Sequence, residues 1–238
     1  MSIPRRSSAW CPIRHWKSAS AAAAKMLRGT KRMRVTSKAG TELDVDMVGA
    51  STVGVWGWTD KPGTLAHWPG GIVVSFPRSG TVNGTLVMAA GDINLTFKRY
   101  LTSPIRMTLK DDYVTDLEGE GADAAMMRAY LAAWGDREAY AVSHVGFGMN
   151  PGARYEALAM YDQRDTNGTE LRAVAGNFLF STGANEFAGR YTAGHFDLPM
   201  MGTTIELDGV AVVREGVLQD VVRLIPIEYR RSLPAQNA

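Results

Sequence analysis

The sequence predicts an α+β domain that is rich in strands, mostly antiparallel, and contains one well-marked helix. Short runs of alternating apolar and polar residues recur about every eight to twelve residues from Lys31 onward, each closed by Gly, Pro, Asp or Ser. One stretch, about 121–134, instead has Ala, Met and Tyr at the helical spacing i, i+3, i+4, i+7 and stops at Gly135.

Local turn signals define the individual strands. Residues 33–36 and 43–47 alternate and flank the turn Lys38-Ala39-Gly40, which is typical of a hairpin. Asp208-Gly209 joins residues 204–207 to 210–213 and predicts a two-residue hairpin turn. Further strands are expected at residues 72–76, 84–88, 93–97, 105–109, 140–145 and 174–180. The pattern also allows a second short helix near residues 154–161.

The length and composition suit one catalytic domain with short ends. The chain has 238 residues, of which 45% are hydrophobic and 21% charged, enough for a substantial core. We expect a basic, Ala-rich and poorly ordered leader at residues 1–29, a metal-binding catalytic domain at 30–230 and a frayed tail at 231–238. Whether the leader is a solvated tail, a targeting segment or a misassigned start stays open.

Charge and cysteine content narrow the possible functions. The net charge of +2 gives no electrostatic reason to expect a nucleic-acid partner. No stretch reaches the ~20 apolar residues of a membrane helix, so no membrane partner is expected. Cys11 is the only cysteine, which excludes an intrachain disulfide and a multi-thiolate zinc site and fits a cytoplasmic location.

Three polar side chains predict a metal centre. His195 and Asp197 are two residues apart, so in an extended segment they point to one side, about 6–7 Å apart. His144 ends an apolar run and is followed by glycines. Two imidazoles and one carboxylate form the facial triad of non-haem Fe(II), which leaves positions open for substrate and O2. These donors do not separate iron from manganese, and the alternative is that Asp197 only pairs with His195.

A third histidine is a candidate for proton transfer. His67 lies before the turn Pro69-Gly70-Gly71, and a free imidazole can act as a general acid or base near neutral pH. The alternative is a half-buried histidine stacked on Trp68.

Several segments together resemble a known family. They are residues 67–71 (HWPGG), 144–155 (HVGFGMNPGARY), 194–197 (GHFD) and 205–209 (IELDG). They resemble the C-terminal part of the 2,5-dihydroxypyridine 5,6-dioxygenase family of nicotinate degradation, a distant relative of the thermophilic leucyl aminopeptidases (aminopeptidase T). The resemblance covers roughly residues 30–220. It implies Fe(II)-dependent opening of the C5–C6 bond of 2,5-dihydroxypyridine by O2 to give N-formylmaleamate.

The resemblance also suggests roles around the metal. His67 would carry a proton, and Ser181 and Asn185 would hydrogen-bond the ring substituents of a small hydroxylated pyridine. Tyr155 and Trp68 would form walls of the pocket. Ser181 and Asn185 are equally well explained as turn residues, and the two aromatic side chains as packing.

Departures from the family pattern leave two alternatives open. The peptidase pattern has a Glu in the loop matching residues 69–71, a Glu in place of His144 and a His near 177–179. This chain lacks all three, which favours a site with one metal ion over a site with two. The family also has an N-terminal domain that helps to build the pocket and the oligomer, where this chain has only the short leader. The chain is therefore expected to form a homo-oligomer. The alternatives are a metal-dependent leucyl aminopeptidase-like hydrolase and a truncated, inactive relative with a structural or assembly role.

Overall fold

The N-terminal part of the chain forms a long helix. In the computed structural model, which describes residues 13–166 and 168–219, helix α1 (Ile13–Gly29) buries Trp16, Ala23 and Leu27 in the main core. The expectation of a poorly ordered leader is therefore wrong from Ile13 onward; residues 1–12 lie outside the described residues. Small alanine side chains favour helix and let it approach a strand closely. A Cβ at Gly54 would lie 2.3 Å from the backbone oxygen of Ser20 on this helix.

The rest of the described chain consists of many short strands and a few short helices. The strands are β1 (Arg32–Ser37), β2 (Glu42–Asp46), β3 (Ser51–Val55), β4 (Ile72–Phe76), β5 (Val82–Met88), β6 (Ile93–Asn94), β7 (Arg99–Tyr100), β8 (Ile105–Lys110), β9 (Tyr113–Glu118), β10 (Val142–Gly148), β11 (Phe178–Thr182), β12 (Phe196–Met200), β13 (Thr203–Leu207), β14 (Val210–Arg214) and β15 (Val217–Leu218). The helices after α1 are α2 (Gly121–Ala133), α3 (Ala157–Met160) and α4 (Thr169–Ala173), with 3-10 turns at Arg137–Tyr140 and Glu186–Ala188. Within residues 13–166 and 168–219, no helix has the length and apolar character that a membrane span requires.

Two antiparallel sheets share one hydrophobic core. The larger has the order β15-β14-β13-β1-β2-β5-β8-β9. Its strands alternate between buried and exposed side chains, as in β8, where Ile105, Met107 and Leu109 are buried. One face of this sheet therefore meets solvent.

The smaller sheet carries the candidate site. Its order is β12-β11-β10-β4-β3. Every residue of β10 and β11 is buried, because these strands are covered on both faces. Core residues Val145 and Phe178 of this sheet belong to the same cluster as Val35 of the larger sheet and Leu27 of α1.

The α+β class and most predicted elements are confirmed. Helix α2 matches the predicted 121–134, the 154–161 helix is reduced to α3, and strand 93–97 ends early because the Asn94 side chain accepts the N–H of Phe97 in a turn. Strand 174–180 begins only at Phe178, and the strands that were not predicted are β3, β7, β9, β12 and β15. The predicted tail, 231–238, lies outside the described residues.

Candidate metal centre

His144 lies on the central strand of the smaller sheet, at an irregular point of its pairing. The register between β10 and β11 shifts between Val142 and Val145. Such bulges redirect side chains. The His144 side chain is 10% exposed, and its ring packs edge-on to Phe76 at a centroid distance of 5.6 Å.

His195 and Asp197 lie at the start of β12, which is the edge strand of the same sheet. The Cα partner of Asp197 is Ser181 on β11, so one strand separates Asp197 from the strand of His144. Two strand spacings amount to about 10 Å. Because directly opposite residues share a face, Asp197 and Ser181 point to the same side of the sheet, and the contact between His144 and Asp197 spans β11.

The three predicted ligands come together in space. His144 Nε2 lies 3.4 Å from Asp197 Oδ1, and His195 Nε2 lies 3.3 Å from Asp197 Oδ2. The two imidazole centroids are 6.4 Å apart. His195 has a side chain that is 45% exposed, so the cluster is reached from solvent on its side.

Arg172 on α4 is a fourth member of this cluster. Its Nη1 lies 3.0 Å from Asp197 Oδ2. Burial by itself raises the pKa of the Asp197 carboxyl, but hydrogen bonds with His144 and His195 and the charges of His144 and Arg172 outweigh it and hold that pKa well below its usual range. Asp197 therefore stays an anion, as a metal ligand must.

Backbone contacts hold the segment of His195 and Asp197 in place. Thr96 Oγ1 donates to the carbonyl of His195 at 3.0 Å, and the Tyr130 hydroxyl donates to the same carbonyl at 3.2 Å. The N–H of Leu95 donates to the carbonyl of Asp197 at 3.0 Å. Helix α2 and the turn after β6 thus fix where the side chains of His195 and Asp197 enter the cluster.

The identity and spacing of the donors suit a divalent cation. Bonds of about 2.1 Å at right angles place neighbouring donor atoms about 3 Å apart, close to the 3.4 Å between His144 Nε2 and Asp197 Oδ1; His195 Nε2 lies 3.3 Å from the other carboxylate oxygen, Oδ2. Among the described residues, however, no group of three or more His, Cys, Asp or Glu side chains is already arranged to hold a metal ion. His144 Nδ1 is also buried without a hydrogen-bond partner there. Entry of a cation would therefore displace the Nε2 protons that His144 and His195 direct at Asp197.

His67 and Trp68 lie in an exposed loop between β3 and β4. Both side chains are exposed, and Trp68 lies against Gly57 of the same loop. None of the described contacts joins His67 to His144, His195 or Asp197. The role of His67 in proton transfer, and of Trp68 as a pocket wall, therefore stay predictions.

The other predicted substrate contacts are engaged with the scaffold. The Ser181 hydroxyl donates to the carbonyl of Phe196 at 2.7 Å, and the Asn185 amide donates to the carbonyl of Pro77 at 2.8 Å while its oxygen accepts the N–H of Ala188. The Tyr155 hydroxyl donates to the carbonyl of Gly91. These bonds agree with the turn and packing alternatives, and substrate contact by the three residues stays a prediction. Of them, only Ser181 is a strand partner of Asp197.

The sequence reasoning missed Arg172 and an aromatic wall beside His144. Phe187 is 62% exposed and lies against Phe76 at a centroid distance of 5.2 Å. No spacing rule in a single sequence connects either residue with His144, because the contacts cross strands. The sequence shows only a phenylalanine between Gly183 and Gly189, which by itself does not point to His144.

Comparisons with known proteins show which family and fold this chain resembles. The family model described as "NicX: 2,5-dihydroxypyridine 5,6-dioxygenase" matches residues 8–220. The chain is 36% identical over 197 residues to the 2,5-dihydroxypyridine 5,6-dioxygenase of Pseudomonas putida strain KT2440, covering 82% of this chain and 56% of that protein. The solved structure of the 2,5-dihydroxypyridine dioxygenase from P. putida KT2440 superposes with a TM-score of 0.85 and 34% identity, over 97% of this chain and 65% of that one. AmpT from Thermus thermophilus, with a TM-score of 0.61 and 17% identity, covers 87% of this chain and 55% of that one and shares the fold alone. The chain thus spans little more than half the length of the curated relative.

Proposed function

The chain belongs to the 2,5-dihydroxypyridine 5,6-dioxygenase family, and on that basis we propose that it is a mononuclear Fe(II) dioxygenase. Its reaction is the O2-dependent opening of the C5–C6 bond of 2,5-dihydroxypyridine to N-formylmaleamate, in nicotinate catabolism. The observation that supports the proposal most is the convergence of two imidazoles on one carboxylate, at 3.3 and 3.4 Å.

The charges of the ligands suit an anionic substrate. Two neutral imidazoles and the Asp197 carboxylate reduce the charge of a divalent cation to about +1, which attracts a deprotonated ring hydroxyl. Fe(II) held by His144, His195 and Asp197 would supply the electron transfer between the ring and O2. The exposed side of His195 gives the substrate access, while Phe76 and Phe187 offer an aromatic surface beside His144 against which a planar ring can stack.

His67 is retained as the proposed proton carrier. An imidazole can take or return a proton at neutral pH. Because His67 lies on an exposed loop, this role requires that the loop contacts the substrate in the complex. Replacing His67 therefore tests proton transfer without removing a proposed metal ligand.

The test is anaerobic reconstitution with ferrous iron. Wild type is expected to bind about one iron per protomer, as a single facial triad requires, to consume O2 with 2,5-dihydroxypyridine and to release N-formylmaleamate. His144→Ala, His195→Ala and Asp197→Ala are each expected to lose iron and turnover. His67→Ala is the matched control, because it also removes an imidazole; it is expected to keep iron and lose turnover. Full iron binding by His195→Ala contradicts the proposal.

The protein reconstituted with metal also distinguishes the dioxygenase from the two alternative functions. Release of leucine from a peptide with two metal ions per chain would indicate the hydrolase; the single carboxylate of the cluster gives no support for a two-metal centre. Iron binding without turnover of 2,5-dihydroxypyridine would indicate the inactive relative. Light scattering on the eluted protein tests the predicted homo-oligomer.

A further inference from the structure

Arg172 differs from the other two partners of Asp197 in what it can do when a cation binds. His144 contacts Oδ1 and His195 contacts Oδ2 of the carboxylate, each through Nε2; an imidazole nitrogen can give up its proton and turn to a metal, leaving the carboxylate. A guanidinium stays charged and has no lone pair to offer. Of the described partners of Asp197, Arg172 is therefore the one whose contact would survive metal binding.

We propose that Arg172 is a positioning residue that holds Oδ2 of Asp197 and thereby presents Oδ1 alone to the metal. The inference rests on the proposed metal centre and adds a residue to it. A carboxylate that is free to rotate can bind a cation through one or both oxygens. Binding through one oxygen keeps a further coordination position open for substrate or O2, which a facial-triad site requires.

The position of Arg172 is fixed by contacts that also involve the strand of His144. The side-chain amide of Asn177 donates to the carbonyls of Leu171 at 2.8 Å and Arg172 at 3.2 Å, and its oxygen accepts the N–H of Gly148 on β10 at 2.7 Å. Asn177 is fully buried. The end of α4 is thus tied to the strand of His144 by one side chain.

The guanidinium itself has little freedom. Besides Asp197, Nη2 lies 3.4 Å from Thr169 Oγ1, and the side chain is 21% exposed. Groups that orient a metal ligand in this way typically change metal affinity 10–100-fold when removed.

The test measures metal binding without turnover. Fe(II) and Co(II) affinities are determined anaerobically by chelator competition, and the visible spectrum of the Co(II) protein reports the coordination of the ion. Arg172→Met is expected to bind both ions roughly 10–100-fold more weakly and to change the Co(II) bands. Arg172→Lys, which keeps the charge without the planar fork, is expected to recover part of the affinity.

Arg99→Met is the matched control. Arg99 also pairs with a buried aspartate, Asp123, at 3.0 Å, and neither residue has a described hydrogen bond or ion pair with the three proposed ligands. This variant is expected to bind Co(II) with the affinity and spectrum of wild type.

Four outcomes overturn the inference. Wild-type affinity and spectrum in Arg172→Met mean that Arg172 does not orient Asp197. Tighter binding in that variant means that Arg172 acts only by repelling the cation. Equal losses in Arg172→Met and Arg99→Met mean general destabilisation. Failure of the wild-type chain to bind either ion refutes the proposed metal centre itself, and the inference with it.

Discussion

A buried ion pair outside the metal cluster offers a sharp test of how the fold supports the site. Arg190 Nη1 lies 2.8 Å from Asp112 Oδ2, with side chains only 5% and 0% exposed. The Asp112 carboxylate also accepts the N–H groups of Gly80, Thr81 and Val82. Arg190 Nη2 donates to the carbonyl of Val142 at 3.1 Å. The pair therefore connects the β8–β9 turn, the start of the His144 strand and the loop that leads to His195.

Removing Arg190 leaves a buried carboxylate without its counter-ion. Breaking a buried pair from one side costs about 3–5 kcal/mol of unfolding free energy, and we expect Arg190→Met to fall in that range. Asp112→Asn removes the charge and keeps a side chain that tolerates the positive φ of 76° at this position. Because both changes disrupt one interaction, the double variant is expected to lose at least about 1 kcal/mol less than the sum of the two single losses.

Urea unfolding of the four metal-free proteins measures these values. Lys38→Ala is the exposed control: Lys38 pairs with Glu215 at 2.7 Å, but its side chain is 83% exposed, and its loss is expected to cost below about 1 kcal/mol. If the loss of unfolding free energy in the double variant equals the sum of the two single losses to within about 0.5 kcal/mol, the argument that an unpaired buried charge dominates is refuted.

Two further predictions concern a buried carboxyl and the residue between the ligands. Burial raises the pKa of Asp92 to about 6, despite hydrogen bonds from the N–H groups of Met201 and Ala89. The folded chain therefore binds this proton more tightly than the unfolded chain. The stability that the proton contributes is full below pH ~3.8 and is lost as the pH rises through about 6. Urea midpoints should show wild type losing up to about 3 kcal/mol relative to Asp92→Asn between pH 4 and pH 7, and a pH-independent difference would contradict this. Ser181→Leu is expected to abolish iron binding by separating His144 from Asp197. Ser181→Ala loses one hydrogen bond, worth about 1 kcal/mol, and is expected to keep iron binding. A full complement of iron in folded Ser181→Leu would show that the contact between His144 and Asp197 does not pass over this residue.

Sequence reasoning succeeded where the relevant interactions are local. The β1–β2 hairpin and helix α2 were predicted because their signals repeat within a few residues. It failed for α1, since an Ala-rich basic segment has the same composition whether it is solvated or packed on β3. Strand 93–97 failed because a side chain, Asn94, competes with the strand for a backbone N–H.

The sequence alone determined that His195 and Asp197 lie two residues apart in one segment, and it predicted that Asp208-Gly209 turns the chain between β13 and β14, where the structure has positive φ angles of 49° and 83°. Both follow from dihedral angles and spacing between near neighbours. Only the tertiary structure decided that His144 meets Asp197 across β11, and that Arg172 holds the same carboxylate. Those contacts depend on the order of strands in the sheet and on the register shift in β10, which join distant segments and leave no periodic signal in the chain.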